Sequence, residues 1–67
     1  MKEIISNSVS KLRLDAGITQ EDLAKTVGVT RQTIIAIEKG NYTPSVLLAL
    51  KISRFFNKKL EDMFNIK

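Results

Sequence analysis

Apolar residues recur along this chain at helical rather than strand spacing. Ile5, Val9, Leu12 and Ala16 fall at i, i+4, i+7 and i+11, which predicts one face of a first helix ending near Gly17. Thr19 reads as an N-cap, with Asp22 three residues later in a variant of the capping box. The helix it opens buries Leu23, Ala24 and Val27, with Ala24 small enough to let two helices cross closely. It stops at Gly28, which takes the positive φ that a tight turn requires. Thr30 caps a third helix that runs to Lys39, before Gly40. Thr43 and Pro44 are expected to open a fourth, as cap and first helical residue. That helix carries Val46, Leu48, Ala49, Leu50, Ile52, Phe55 and Phe56, and Asn57 ends it in the left-handed conformation. Leu60 to Phe64 is read as one or two further helical turns, closing the core with Leu60 and Phe64. No repeat, linker or low-complexity stretch intervenes, so residues 1–67 are expected to form one all-α domain of five helices.

The third predicted helix has two faces. Measured round the helix from Arg31, Ile35 falls at about 40°, Lys39 at about 80°, Gln32 at about 100° and Ala36 at about 140°. Thr33, Ile37 and Ile34 lie between about 200° and about 300°. Ile34 and Ile37 therefore point to a core, while Arg31, Gln32, Ala36 and Lys39 look outward. Two short helices over residues 19–40 with such a second member make a helix-turn-helix pattern. One helix clamps a DNA backbone and the next offers its outer face to the major groove. Donor geometry then assigns roles. Arg31 matches guanine O6 and N7, Gln32 matches adenine N6 and N7, and Ala36 lets the helix sink into the groove beside a thymine methyl. Lys39 suits a phosphate. Ile35, an apolar side chain on the outward face, is either half covered by its neighbours or a contact to a thymine methyl. Gln20 and the unpaired N–H groups at the start of the second helix suit another phosphate, with Glu21 and Asp22 turned away. Thr30 and Thr33 join this set of expected phosphate contacts.

Composition narrows the alternatives. The 67 residues include no cysteine and no histidine, so disulfides, thiolate metal sites and Ser-His or Cys-His pairs are excluded. Gly17, Gly28 and Gly40 stand alone at helix ends, not in a phosphate-cradling loop. An enzyme is not expected, and no cofactor, metal or small-molecule ligand is implied. The longest apolar run, Val46 to Leu50, is too short for a membrane span, and Met1 to Ser6 lacks the apolar core of a leader. A cytoplasmic location is expected. The formal charge is +4, which suits a polyanion, yet most of the excess lies after residue 40.

The stretch Thr-Gln-Glu-Asp-Leu-Ala-Lys-Thr-Val-Gly-Val-Thr-Arg-Gln-Thr-Ile-Ile-Ala-Ile-Glu-Lys-Gly, residues 19–40, resembles the helix-turn-helix of small Cro/phage-repressor-like (XRE-type) regulators. The resemblance runs over roughly residues 7–64 and implies a five-helix lambda-repressor-like DNA-binding domain. It implies that Arg13 pairs with Glu38, and that Asn41, Tyr42 and Thr43 form a second phosphate-contacting loop, in which Tyr42 is equally a packing lid. Lys58 and Lys59 depart from the resemblance, standing where such chains have an apolar and then a capping residue. A sequence-specific regulator is expected, acting as a repressor and as a homodimer on an inverted-repeat operator in double-stranded DNA. Leu47, Phe55, Phe64 and Ile66 are the candidate dimer contacts. The alternative is a protein-interaction module on the same fold, such as a bridging factor or an antitoxin.

Overall fold

Hydroxyl side chains set three of the helix starts. Thr19, Thr30 and Ser45 each lie in extended backbone and accept the N–H three residues on, from Asp22, Thr33 and Leu48. In the computed structural model, which describes residues 5–66, helices α1 (Val9–Asp15), α2 (Gln20–Val27), α3 (Arg31–Glu38), α4 (Val46–Phe55) and α5 (Leu60–Met63) follow one another. Residues 1–4, part of the segment read above for a leader, and Lys67 lie outside the described residues. No helix among the described residues is long and apolar enough to cross a membrane.

Two short strands flank the helices, β1 (Ile5–Asn7) and β2 (Phe64–Ile66). They pair antiparallel, with Ile5 opposite Ile66 and Asn7 opposite Phe64, and the Ser8 N–H extends the contact to the Met63 carbonyl at 3.0 Å. This corrects two expectations. Ile5 belongs to a strand rather than to the first helix, and Ala16 caps that helix at an exposed position. Phe64 starts β2 instead of ending the last helix. The cause is a pairing between the two ends of the chain, which no local spacing reports. A third correction concerns α4. Its cap is Ser45 rather than Thr43, and Pro44 lies before the cap, because the Ser45 hydroxyl reaches the Leu48 N–H at 3.1 Å.

The core is formed by Val9, Leu23, Ala24, Val27, Ile34, Ile37, Leu48, Ile52 and Met63, with Leu12, Ile18, Val29, Phe56 and Phe64 packed around them. Each fully buried Leu or Ile stabilises by about 1.5–3 kcal/mol relative to exposure. Every described helix contributes to this cluster, and α3 packs into it through Ile34 and Ile37, chiefly against α2 and α1. Gly28 makes the α2–α3 turn at φ 78°, and the N–H of Val29 closes it on the Ala24 carbonyl at 2.9 Å.

Candidate nucleic-acid interface

Packing of Ile34 and Ile37 inward leaves Arg31, Gln32 and Lys39 exposed along the opposite side of α3, with Ile35 and Ala36 half-buried beside them. Ile35 is therefore partly covered by its neighbours. Arg31 and Lys39 have no carboxylate partner in salt-bridge range among the described residues. Beyond the C-cap at Lys39, Asn41 and Tyr42 are exposed, and Tyr42 shares a groove with Val29, Thr33 and Leu47. The hydroxyls of Thr30 and Thr33 lie 3.2 Å apart, and Thr30 also accepts the Thr33 N–H. Their oxygens stabilise the first turn of α3 and stay at its exposed edge.

The start of α2 faces the same side. Thr19 and Asp22 form a reciprocal capping box: the Thr19 N–H donates to Asp22 Oδ2 at 3.1 Å, and the Asp22 N–H to Thr19 Oγ1 at 3.0 Å. The bond from the Thr19 N–H holds the Asp22 carboxyl below its ordinary pKa. The N–H groups of Gln20 and Glu21 have no intrahelical acceptor, and the positive end of the helix dipole lies with them. Thr19, Gln20 and Glu21 line a surface groove whose far side includes Arg31. Arg31 and the start of α2 thus border one concave surface.

Arg13, which lines the same groove, forms the one ion pair among the described residues. Arg13 Nε donates to Glu38 Oε2 at 2.8 Å and Nη2 to Oε1 at 3.2 Å, a bidentate arrangement between α1 and the end of α3. The side chains are only 11% and 7% exposed. Hydrogen bonding to Glu38 outweighs burial and raises the Arg13 pKa above its ordinary value. A third bond, from Arg13 Nη1 to the Ile18 carbonyl at 3.0 Å, ties the α1–α2 turn to the pair.

Two contacts have no counterpart in the sequence reading. Asn7 Nδ2 donates to the Ile37 carbonyl at 2.9 Å while its Oδ1 accepts the Val9 N–H, so one amide caps the end of α3 and the start of α1. Gln20 Nε2 donates to Glu38 Oε1 at 3.1 Å, joining the first residue of α2 to the last of α3. Asn7 had a detectable local signal, an Asx residue just before a helix. The Gln20 contact had none, since it spans 18 positions.

A family model for helix-turn-helix proteins matches residues 9–63. The chain belongs to the XRE-type helix-turn-helix family of transcriptional regulators. Among XRE-type relatives, an HTH-type transcriptional regulator of Bacillus subtilis, YgzD, is 58% identical over 60 residues, spanning 90% of this chain and 91% of that one. The cryptic phage CTXphi transcriptional repressor RstR of Vibrio cholerae is 27% identical over 60 residues, 90% of this chain and 54% of that one. The crystal structure of the restriction-modification controller protein C.AhdI of Aeromonas hydrophila superposes with a TM-score of 0.74 at 26% identity, covering 81% and 82% of the two chains. This XRE-type chain therefore carries a DNA-binding fold in which α2 and α3 are the helix-turn-helix.

Proposed function

We propose that this regulator is a repressor that binds an inverted-repeat operator in duplex DNA as a homodimer, in the cytoplasm, with α3 in the major groove. The observation that carries the reading is the outer face of α3, where Arg31, Gln32 and Lys39 stand exposed beside the open N-terminus of α2. Arg31, Gln32, Ile35 and Ala36 are the proposed base-contacting residues. Gln20, Thr30, Thr33, Lys39, Asn41 and Tyr42 are the proposed phosphate contacts. A repressor role draws support from the phage repressor among the relatives.

One recognition helix reads few base pairs, so affinity and specificity call for two. The four dimer candidates divide between two faces. Phe64 and Ile66 are two apart on β2 and so share a side, and Phe64 lines an apolar groove with Ile5, Pro44, Val46, Ala49 and Leu60. Glu61 is the single charged residue lining that groove. Leu47 and Phe55 instead lie on the outer face of α4 with Lys51 and Arg54. A two-fold axis there brings two like charges per subunit together, whereas the groove face brings only one, Glu61. We assign the dimer contact to Phe64, Ile66 and the groove.

Selection of binding sites from random duplexes tests the whole reading, with half-site centres expected about 10 bp apart. On the selected site Arg31→Ala should cost about 1–3 kcal/mol and relax preference at one base position. An equal loss on random duplex would reduce Arg31 to a phosphate contact. Sedimentation at micromolar concentration tests the dimer, and a folded monomer that protects a single half-site refutes it.

A further inference from the structure

We propose that Glu38 is a positioning residue for DNA-backbone binding: its buried carboxylate orients the Gln20 amide at the start of α2, so that the group meeting a phosphate is fixed before DNA arrives. The inference rests on the DNA-binding reading above and adds a role to a residue placed there only in the ion pair.

Glu38 Oε1 accepts from both Arg13 Nη2 and Gln20 Nε2, at 3.2 and 3.1 Å. An ionised carboxylate only accepts, so it dictates which end of the Gln20 amide faces it. The NH₂ group turns inward and uses one hydrogen. The second N–H and the amide oxygen remain for partners outside. Gln20 borders the groove at the start of α2, next to the open N–H groups of Gln20 and Glu21. A long, flexible glutamine thus loses its rotamer freedom on folding instead of on binding, which is the benefit of preorganisation.

A carboxylate so near a phosphate needs its charge cancelled. The bidentate Arg13 guanidinium does this, and the pair is largely shielded from water and salt. The same carboxylate therefore sets the angle between α1 and α3 and the orientation of the backbone-binding amide on α2. Helix angle and phosphate anchor become one mechanical unit.

Two measurements test the proposal. In the free wild-type protein, side-chain ¹⁵N relaxation should show a rigid Gln20 amide, with an order parameter near the backbone value of about 0.85. A mobile amide in the folded wild type, with an order parameter below about 0.6, overturns the proposal without any substitution. Binding to a mixed-sequence duplex of about two helical turns, followed by fluorescence anisotropy, is then compared across wild type, Gln20→Ala, Glu38→Asp and the double variant. Aspartate keeps the charge for Arg13 but falls short of Gln20. It should weaken binding about fivefold where Gln20 is present and clearly less in the Gln20→Ala background, where only its contact with Arg13 is at stake. Equal losses in both backgrounds overturn the proposal, because Glu38 then acts through the fold alone. Should Glu38→Asp fail to fold, the order parameter of the wild-type Gln20 amide decides alone. A folded wild type that binds no duplex overturns the DNA-binding reading itself, and this proposal with it.

Discussion

Replacing Arg13 by methionine should be among the most damaging single changes in this chain. Methionine keeps most of the apolar stem but strips away the guanidinium and its three hydrogen bonds. It leaves the Glu38 carboxylate, 7% exposed, with Gln20 as its remaining partner, and it orphans the Ile18 carbonyl. Breaking a buried ion pair from one side costs about 3–5 kcal/mol, and the residual exposure of this pair argues for the lower end. At about 0.05–0.15 kcal/mol per residue, a chain of 67 residues has about 3–10 kcal/mol of stability in total. The single variant therefore loses a large share of its fold. Removing both charges, as Arg13→Met with Glu38→Leu, replaces the pair by two apolar side chains of similar length and should recover much of the loss. Urea unfolding followed by circular dichroism, at one protein concentration because assembly shifts apparent stability, gives the cycle. We expect a coupling of about 2 kcal/mol that persists in about 1 M salt, since a buried pair is weakly screened. A coupling below about 0.5 kcal/mol, or one that vanishes in salt, would place the pair among ordinary surface contacts and refute the argument.

Other perturbations isolate single elements. The Asp22 carboxyl is held below its ordinary pKa by Thr19, so the cap is fully formed above the ordinary carboxylate range and is lost as pH falls through the folded value. Asp22→Asn should flatten the acid limb of the stability curve, and superimposable limbs would show that the box is not linked to pH. At Gly28, φ is +78° and an added Cβ meets nothing within 4 Å, so Gly28→Ala should cost only backbone strain, about 1–2 kcal/mol, and Gly28→Asn less. Equal costs for Ala and Asn in thermal unfolding would show that something other than the left-handed backbone is at stake.

Helix punctuation was the most legible part of the fold. Thr19, Gly28 and Thr30 act within three or four positions of themselves, and a cap or a left-handed turn is settled between a side chain and its own backbone. Asn57, at φ 55°, is of the same kind. The inward face of α3 was legible for a similar reason, since helical period alone separates Ile34 and Ile37 from Arg31 and Gln32. The strands were not legible. Ile5 to Asn7 and Phe64 to Ile66 are three residues each, and their pairing joins the two ends of the chain. Burial of Met63 goes with that pairing, because β2 starts at the next residue and the Met63 carbonyl accepts the Ser8 N–H beside β1. Leu50 and Phe55 were equally opaque: helical spacing cannot tell a residue at the margin of an apolar stripe from one inside it, and both are exposed.

The contacts around α3 are unevenly distributed, and the unevenness matters for recognition. Three long-range hydrogen-bonded restraints converge on its last two residues: Asn7 on the Ile37 carbonyl, and Arg13 and Gln20 on the Glu38 carboxylate. The first turn has only the Thr30 cap, the Gly28 turn and the packing of Ile34. Orientation is therefore imposed at one end of the helix and the proposed base contacts are offered at the other. Arg31 and Gln32 make no side-chain hydrogen bond among the described residues, so exchanging them removes no fold contact of this kind. Exchanging Glu38, Arg13 or Asn7 alters the platform that aims them. On this division, substitutions at 31 and 32 should retune which bases are preferred at nearly constant stability, while substitutions at 7, 13 and 38 should alter stability and affinity together. Site selection and urea unfolding run on the same variants check both halves, and a change at 31 or 32 that lowers stability as much as one at 13 would refute the division.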